Sequence, residues 1–264
     1  MPMARPSYRA ILADLDGTVN RGSLLMPGAE EVYRNLSRKG IRWIFVSNSA
    51  TRLAVDLATK IRKLGLAVTP DQVVNSALAL IHVVERGYRG TRIMVIGEPR
   101  LAEGVAAAGA VVTENPEETE IVAVGLDTGF TYEKLTRAHQ AIQKGAKFWA
   151  TNLDATFPSS KGFLPGAGSV VASISTAAGR PPDRVFGKPF PDMANLALEI
   201  LGLPPRDCLM VGDRIDTDLL FAKNAGMDSA LVLTGASRRE DLEHAPHLPQ
   251  YVFDTIGDIA KLFD

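Results

Sequence analysis

Short apolar runs alternate with amphipathic stretches along nearly the whole chain, and no other feature narrows the fold as much. Residues 41–46 are apolar and lead into a helix-like pattern over 52–64; 92–96 lead into 101–108, and the run from Cys208 to Val211 leads into 217–225. A strand followed by a helix returns the chain to the same edge of a sheet, so repetition of the unit predicts a parallel sheet covered on both faces, an α/β fold. Gly226 is placed to end the last of these helices. The oxygen-bearing side chains of Asp216, Thr217 and Asp218 are placed to cap its start, where the first amides lack partners.

A length of 264 residues suits two modules better than one. The motifs described below lie before about residue 50 and after about residue 186, and the middle of the chain holds strand and helix patterns without such clusters. The expected organisation is therefore a core domain from residues 1–78 and 182–264, carrying an inserted domain over 79–181. Lysine and arginine number 29 against 30 acidic residues, for a net charge of −1, which leaves no cationic excess to neutralise a nucleic acid backbone or an anionic membrane. The lone cysteine, Cys208, has no partner for an internal disulfide and sits in an apolar run that reads as a buried strand. With no stretch near the ~20 apolar residues of a membrane span, a cytoplasmic enzyme is expected.

The chemistry gathers at the ends of the apolar runs. Ala10-Ile11-Leu12-Ala13 is followed by Asp14-Leu15-Asp16-Gly17-Thr18, which sets two carboxylates at a strand exit, where α/β proteins build their sites. One carboxylate there can attack phosphorus and the other can move protons for the leaving group and for water, although Asp-Gly by itself is also a turn. Val46-Ser47-Asn48-Ser49 brings a hydroxyl, an amide and backbone amides to a helix entrance, as suited to a plain N-cap as to a phosphate cradle. In Phe186-Gly187-Lys188-Pro189 a single lysine is held between a residue without bulk and one with a fixed backbone angle. Taken alone, it reads as a surface charge. Val211-Gly212-Asp213-Arg214-Ile215-Asp216-Thr217-Asp218 ends another apolar run in carboxylates of the kind that suit a hard divalent cation. Gly166-Ala167-Gly168 lacks both a leading strand and the third glycine of a dinucleotide fingerprint and reads as a helix start. The acidic stretch 113–120 reads as a solvated loop, and His82, His139, His244 and His247 show no metal-ligand spacing.

Together the four segments resemble the haloacid dehalogenase-like hydrolase superfamily, whose members are mostly phosphatases. The resemblance implies a Rossmann-like parallel-sheet core with an inserted α/β cap of type 2. Gly212-Asp213-Arg214-Ile215-Asp216-Thr217-Asp218, Lys223-Asn224-Ala225-Gly226-Met227, Ala150-Thr151-Asn152-Leu153-Asp154 and Pro165-Gly166-Ala167-Gly168-Ser169 are similar to the NagD and p-nitrophenyl phosphatase branch. It further implies Asp14 as nucleophile, Asp16 as general acid and base, Ser47 as a phosphate-binding hydroxyl and Lys188 as the phosphate-binding lysine. Mg2+ would be held by Asp14, Asp213 and the backbone carbonyl of Asp16, with Asp218 supporting its waters and the lysine. Asn48 and Ser49 extend the phosphate site, and Ser49 departs from the asparagine that many relatives carry. Residues 152–157 form the implied specificity loop, with Phe157 facing the substrate.

The expected reaction is hydrolysis of a small phosphorylated metabolite, such as a sugar phosphate, nucleoside monophosphate, phosphoglycolate or p-nitrophenyl phosphate, through an aspartyl phosphate. The insert is expected to close over the cleft and choose the leaving group. Two other readings share the motifs: transfer of the phosphoryl group to another alcohol, and a non-catalytic binding or regulatory protein. Asp16 disfavours the latter, because a persistent aspartyl phosphate needs no second carboxylate. Relatives often form a homodimer through this cap, and the sequence leaves the oligomeric state open.

Overall fold

The structure is a computed structural model and describes residues 8–51, 53–159 and 162–263. The described residues form two compact units, one from the stretches up to Ser47, over Ala54–Val74 and from Lys188 onward, the other from Asn48–Leu53 and Asn75–Gly187.

The first leg of the first unit runs β1 (Ala10–Asp14), a tight hairpin of β2 (Asn20–Arg21) and β3 (Leu24–Leu25), α1 (Ala29–Arg38), β4 (Arg42–Ser47), α2 (Ala54–Lys63) and β5 (Val73–Asn75). The chain then builds the second unit from α3 (Ser76–Gly87), β6 (Arg92–Ile96), α4 (Pro99–Ala107), β7 (Val111–Val112), β8 (Ile121–Val124), α5 (Tyr132–Gln143), β9 (Lys147–Ala150), β10 (Thr156–Ser159), β11 (Gly162–Pro165), α6 (Ala167–Ala178) and β12 (Arg184–Val185). It returns to the first unit with α7 (Asp192–Leu201), β13 (Cys208–Gly212), α8 (Leu220–Ala225), β14 (Asp228–Val232) and β15 (Tyr251–Phe253).

The first unit holds a six-stranded sheet in the order β15-β14-β13-β1-β4-β5. β1 lies in its middle, parallel to β13 on one side and to β4 on the other. Its position explains its composition: Ala10, Ile11, Leu12 and Ala13 are all fully buried, because helices cover both faces of the sheet. α1 turns Ala29, Val32 and Leu36 inward and carries Glu30, Glu31 and Arg34 on its outer side, and α2 buries Leu57, Ala58 and Ile61 in the same way. On the α1 side, Trp43 stacks on Phe45 with ring centroids 6.0 Å apart, and Tyr33 meets Trp43 edge-on at 5.5 Å. Buried aromatic surface of this kind stabilises a fold by about 1.5–3 kcal/mol per side chain.

The second unit has its own five-stranded parallel sheet, β12-β9-β8-β6-β7, and a core that includes Met94, Val122, Phe148 and Ile174. A separate antiparallel pair, β10 and β11, belongs to the same unit. Gly166 caps α6 as the helix start that its sequence predicts, although β11 leads directly into it where no strand was expected, and the 113–120 stretch is a mostly exposed loop.

A further expectation about local structure is corrected. The helix expected over 217–225 is split into a wide turn of the π type at Ile215–Leu219 followed by α8. The cause is Asp218. Instead of capping forward into the helix, its Oδ2 accepts from the amides of Asp213 and Arg214, both at 3.1 Å, and the backbone widens to let the side chain fold back. Asp216 takes the guanidinium of Arg214 at 3.0 and 2.7 Å and also accepts from backbone amides at the start of the turn, its own and that of Thr217.

Candidate active site

Parallel register decides which side chains meet. Asp14 pairs with Val46 on β4 and Ala13 pairs with Val211 on β13, so Ser47 and Asp213 emerge beside Asp14 at the carboxyl ends of the neighbouring strands. The bond network after β1 is tight, with the amides of Val19 and Asn20 both reaching the carbonyl of Leu15 at 2.9 Å. Leu15 is buried, and Asp16 on the next position has 47 % of its side chain exposed.

Lys188, which read alone is a surface charge, is 5 % exposed. Its ammonium pairs with Oδ1 of Asp14 and donates to Oδ1 of Asp218 at 2.7 Å. Burial alone would lower its pKa, but the two carboxylates outweigh that effect and raise it. For Asp14 the balance runs the other way. Burial, together with repulsion from Asp218 and Asp213, holds its carboxyl well above the usual range despite the ammonium beside it. Asp213 is raised for the same reasons, burial first and Asp218 second, against bonds that favour its charge.

Those bonds fix Asp213. Oδ1 accepts from the hydroxyl of Thr18 at 3.2 Å and Oδ2 from the amide of Ala236 at 2.7 Å. The carboxylate lies against Gly17, where a Cβ would come within 2.5 Å of Oδ2 and where the backbone φ of +107° independently favours glycine. The loop after β14 closes the other side: a Cβ on Gly235 would also collide with Asp213, and Thr234 donates its hydroxyl to the carbonyl of Gly17 at 2.6 Å.

Asp14, Asp213 and Asp218 each offer a carboxylate oxygen, all within 4.8 Å of one another. Three carboxylates share this buried space with the ammonium of Lys188, an excess of negative charge that a divalent cation relieves. The donor set is all oxygen, which suits a hard ion, and the residues therefore fit a divalent metal. Asp218 already has Oδ1 on Lys188 and Oδ2 on two amides, which makes it a support for the site.

Asn48, Ser49 and Phe157 belong to the second unit. The carbonyl of Asn48 accepts from Nδ2 of Asn152 and from the hydroxyl of Ser76, both at 2.7 Å, and its own amide donates to Asp154 at 3.2 Å. The hydroxyl of Ser49 lies 3.3 Å from that of Thr51. Phe157 is half-buried on β10, opposite Leu164 of β11. Sequence reasoning missed Thr18, Asn20, Lys60 and the Thr234–Ala236 loop. The loop had a signal, since the apolar run ending at Leu233 is followed by Thr-Gly on the same side of the sheet as the other strand exits.

This arrangement, carboxylates at the exits of adjacent parallel strands with a buried lysine between them, defines a class of hydrolase. The haloacid dehalogenase-like hydrolase model matches residues 11–111 and a second model of the same group, HAD-hydrolase-like, matches 185–259. The chain belongs to the haloacid dehalogenase-like hydrolases, in the type 2-cap branch that includes NagD and the p-nitrophenyl phosphatases. It is 36 % identical to an acid sugar phosphatase of Staphylococcus saprophyticus over 97 % of this chain and 98 % of that one. Among solved structures, a 4-nitrophenylphosphatase from Thermotoga maritima superposes with a TM-score of 0.90 at 36 % identity, covering 97 % of each chain. A glycerol phosphate phosphatase from Mycobacterium tuberculosis in complex with magnesium gives 0.87 at 36 % identity, over 95 % of this chain and 75 % of that one.

Proposed function

We propose that this chain is a Mg2+-dependent phosphatase of small phosphorylated metabolites, working through a covalent aspartyl phosphate on Asp14. The observation that carries the reading is the buried ammonium of Lys188 between Asp14 and Asp218, with Asp213 beside them. A lysine is costly to bury without work to do, and here it pins one oxygen of Asp14 and leaves Oδ2 to attack.

Asp14 Oδ2 forms a bond to phosphorus as the bond to the ester oxygen breaks, and Asp16 gives its proton to that departing oxygen. Asp16, now a carboxylate, takes a proton from water, whose oxygen attacks phosphorus and releases inorganic phosphate, restoring Asp14. Lys188 and the hydroxyl of Ser47 stabilise charge on the phosphoryl oxygens, with Asn48 and Ser49 extending the phosphate site. Asp14, Asp213 and the backbone carbonyl of Asp16 would hold the Mg2+, with Asp218 behind them; when bound, the ion supplies positive charge that offsets repulsion between Asp14 and the phosphate. Hydrolysis of a phosphate monoester is accelerated by up to ~10^21, more than about 20 kcal/mol. The proton work of Asp16 accounts for roughly 10^2 to 10^4 of that, so positioning and charge stabilisation carry most of the rest.

The second unit acts as the inserted cap, and the 152–157 loop, through Phe157, selects the leaving group. The acid sugar, 4-nitrophenyl and glycerol phosphate phosphatases among its relatives support small organic phosphates as the substrate class. A cytoplasmic location follows from such a substrate pool and a buried, unpaired thiol. The decisive test is release of free phosphate from p-nitrophenyl phosphate with Mg2+. The Asp14→Asn variant is expected to lose turnover and retained wild-type turnover would refute the nucleophile, while Phe157→Ala should change relative rates across sugar, nucleotide and glycolate phosphates.

A further inference from the structure

Two side chains with no assigned role converge on a single oxygen of Asp16. Nδ2 of Asn20 donates to Oδ1 at 3.0 Å, and the ammonium of Lys60, reaching over from α2, donates to the same atom at 3.4 Å. Among the described residues Oδ2 of Asp16 takes part in no such bond. Asp16 is the exposed member of the pair of aspartates, and an exposed carboxylate left alone samples several rotamers.

Neither donor is explained by stability. Lys60 and Asp16 are 27 % and 47 % exposed, and ion pairs in that setting add little to stability. Asn20 is fully buried, and its Oδ1 has no hydrogen-bond partner, a net cost to the fold relative to a satisfied or apolar residue. Its Nδ2 also reaches the carbonyl of Gly22 at 3.1 Å, tying the β2–β3 turn to the same point. An asparagine with one half satisfied and the other stranded is kept for what the satisfied half holds.

We infer that Asn20 and Lys60 are positioning residues for Asp16: by occupying Oδ1 they fix the carboxyl so that Oδ2 is the atom that gives and takes the proton. The inference rests on the reading of Asp16 as general acid and base. In the acid step the O–H bond at Oδ2 breaks and its proton forms the new O–H bond of the departing alcohol; in the base step Oδ2 takes a proton back from water.

The test uses the ratio of kcat/KM on glycerol phosphate to that on p-nitrophenyl phosphate. An alkoxide cannot leave without a proton, whereas p-nitrophenolate can, so the ratio reads proton delivery and is blind to a general loss of folded enzyme. Displacing a reacting group by about 1 Å costs roughly 10^2-fold, so Lys60→Gln and Asn20→Ala are each expected to lower the ratio about 10- to 100-fold, with Lys60→Arg restoring most of it. Lys60 is on the surface, so its variants report even if Asn20→Ala does not fold. Equal losses on both substrates, or an unchanged ratio, would overturn the proposal while leaving the phosphatase reading intact. Asp16→Asn is the control: if it also leaves the ratio unmoved, the general acid assignment falls, and the positioning role with it.

Discussion

Replacing Lys188 by Met tests the charge balance of the site directly. The stem volume is kept, so little cavity is created, and what is lost is the ammonium. Lys188, Asp14 and Asp218 have side chains 4 %, 14 % and 1 % exposed, so the carboxylates left behind are out of water and face one another and Asp213. Removing one partner from a buried ion pair costs about 3–5 kcal/mol, and two carboxylates lose their partner here, which places the effect toward the upper end. At roughly 2–4 °C per kcal/mol for a protein of this size, the expected drop in Tm for the unit carrying the site is roughly 6–20 °C. The assay is calorimetry in EDTA at pH 8, repeated at lower pH. Burial and its acidic neighbours raise the pKa of Asp14 in the folded protein, and Lys188 is the main opposing influence. A carboxyl raised on folding opposes the folded state at pH above its folded pKa and ceases to do so below its unfolded pKa. The deficit of Lys188→Met must therefore shrink as the pH falls through the raised pKa of Asp14. A Tm within about 2 °C of wild type at pH 8, or a deficit that grows on acidification, would refute the reasoning.

Two further outcomes are expected. Mg2+ at 100 times its Kd should stabilise the wild type by about 2.7 kcal/mol, and Asp213→Asn should abolish that gain and raise the Mg2+ needed for half-maximal activity more than about tenfold, read by melting and by titration of activity after EDTA treatment. Burial pushes the Cys208 thiol up to about 11, so a thiol reagent at pH 8 should leave the native protein untouched and modify it fully in guanidinium.

The strands were legible because burial on both faces of a parallel sheet demands unbroken apolar runs, as in Ala10 to Ala13 and Cys208 to Val211. Asp14 and Asp213 were legible with them, since a carboxylate straight after such a run has little structural reason to be there. Lys188 could be found by resemblance alone. Its burial depends on Asp14 and Asp218, which are 174 and 30 residues away along the chain, and nothing local announces it. The wide turn at Ile215–Leu219 was hidden for a different reason: Asp at a helix start normally caps forward, and Asp218 instead satisfies amides behind it. Asn20 and Lys60 left no trace in the pattern, because a buried amide in a two-residue strand and a basic residue on an amphipathic helix are both unremarkable until their common target is seen.

The place of β1 in its sheet sets an order of events during translation. The strand that bears Asp14 leaves the ribosome early, yet Ala10 must wait for Cys208 before that edge is paired. All but a few residues of the second unit come from the continuous stretch Asn75–Gly187, so that unit can close while its host is still half made. A nascent chain interrupted before β13 thus combines a finished insert with an open hydrophobic strand edge, a species prone to sticking to its neighbours and a natural client for chaperones. It also lacks Asp213, and Lys188 as well if it stops before residue 188, so the aspartate made first meets its partners only as the last third of the chain is threaded into place.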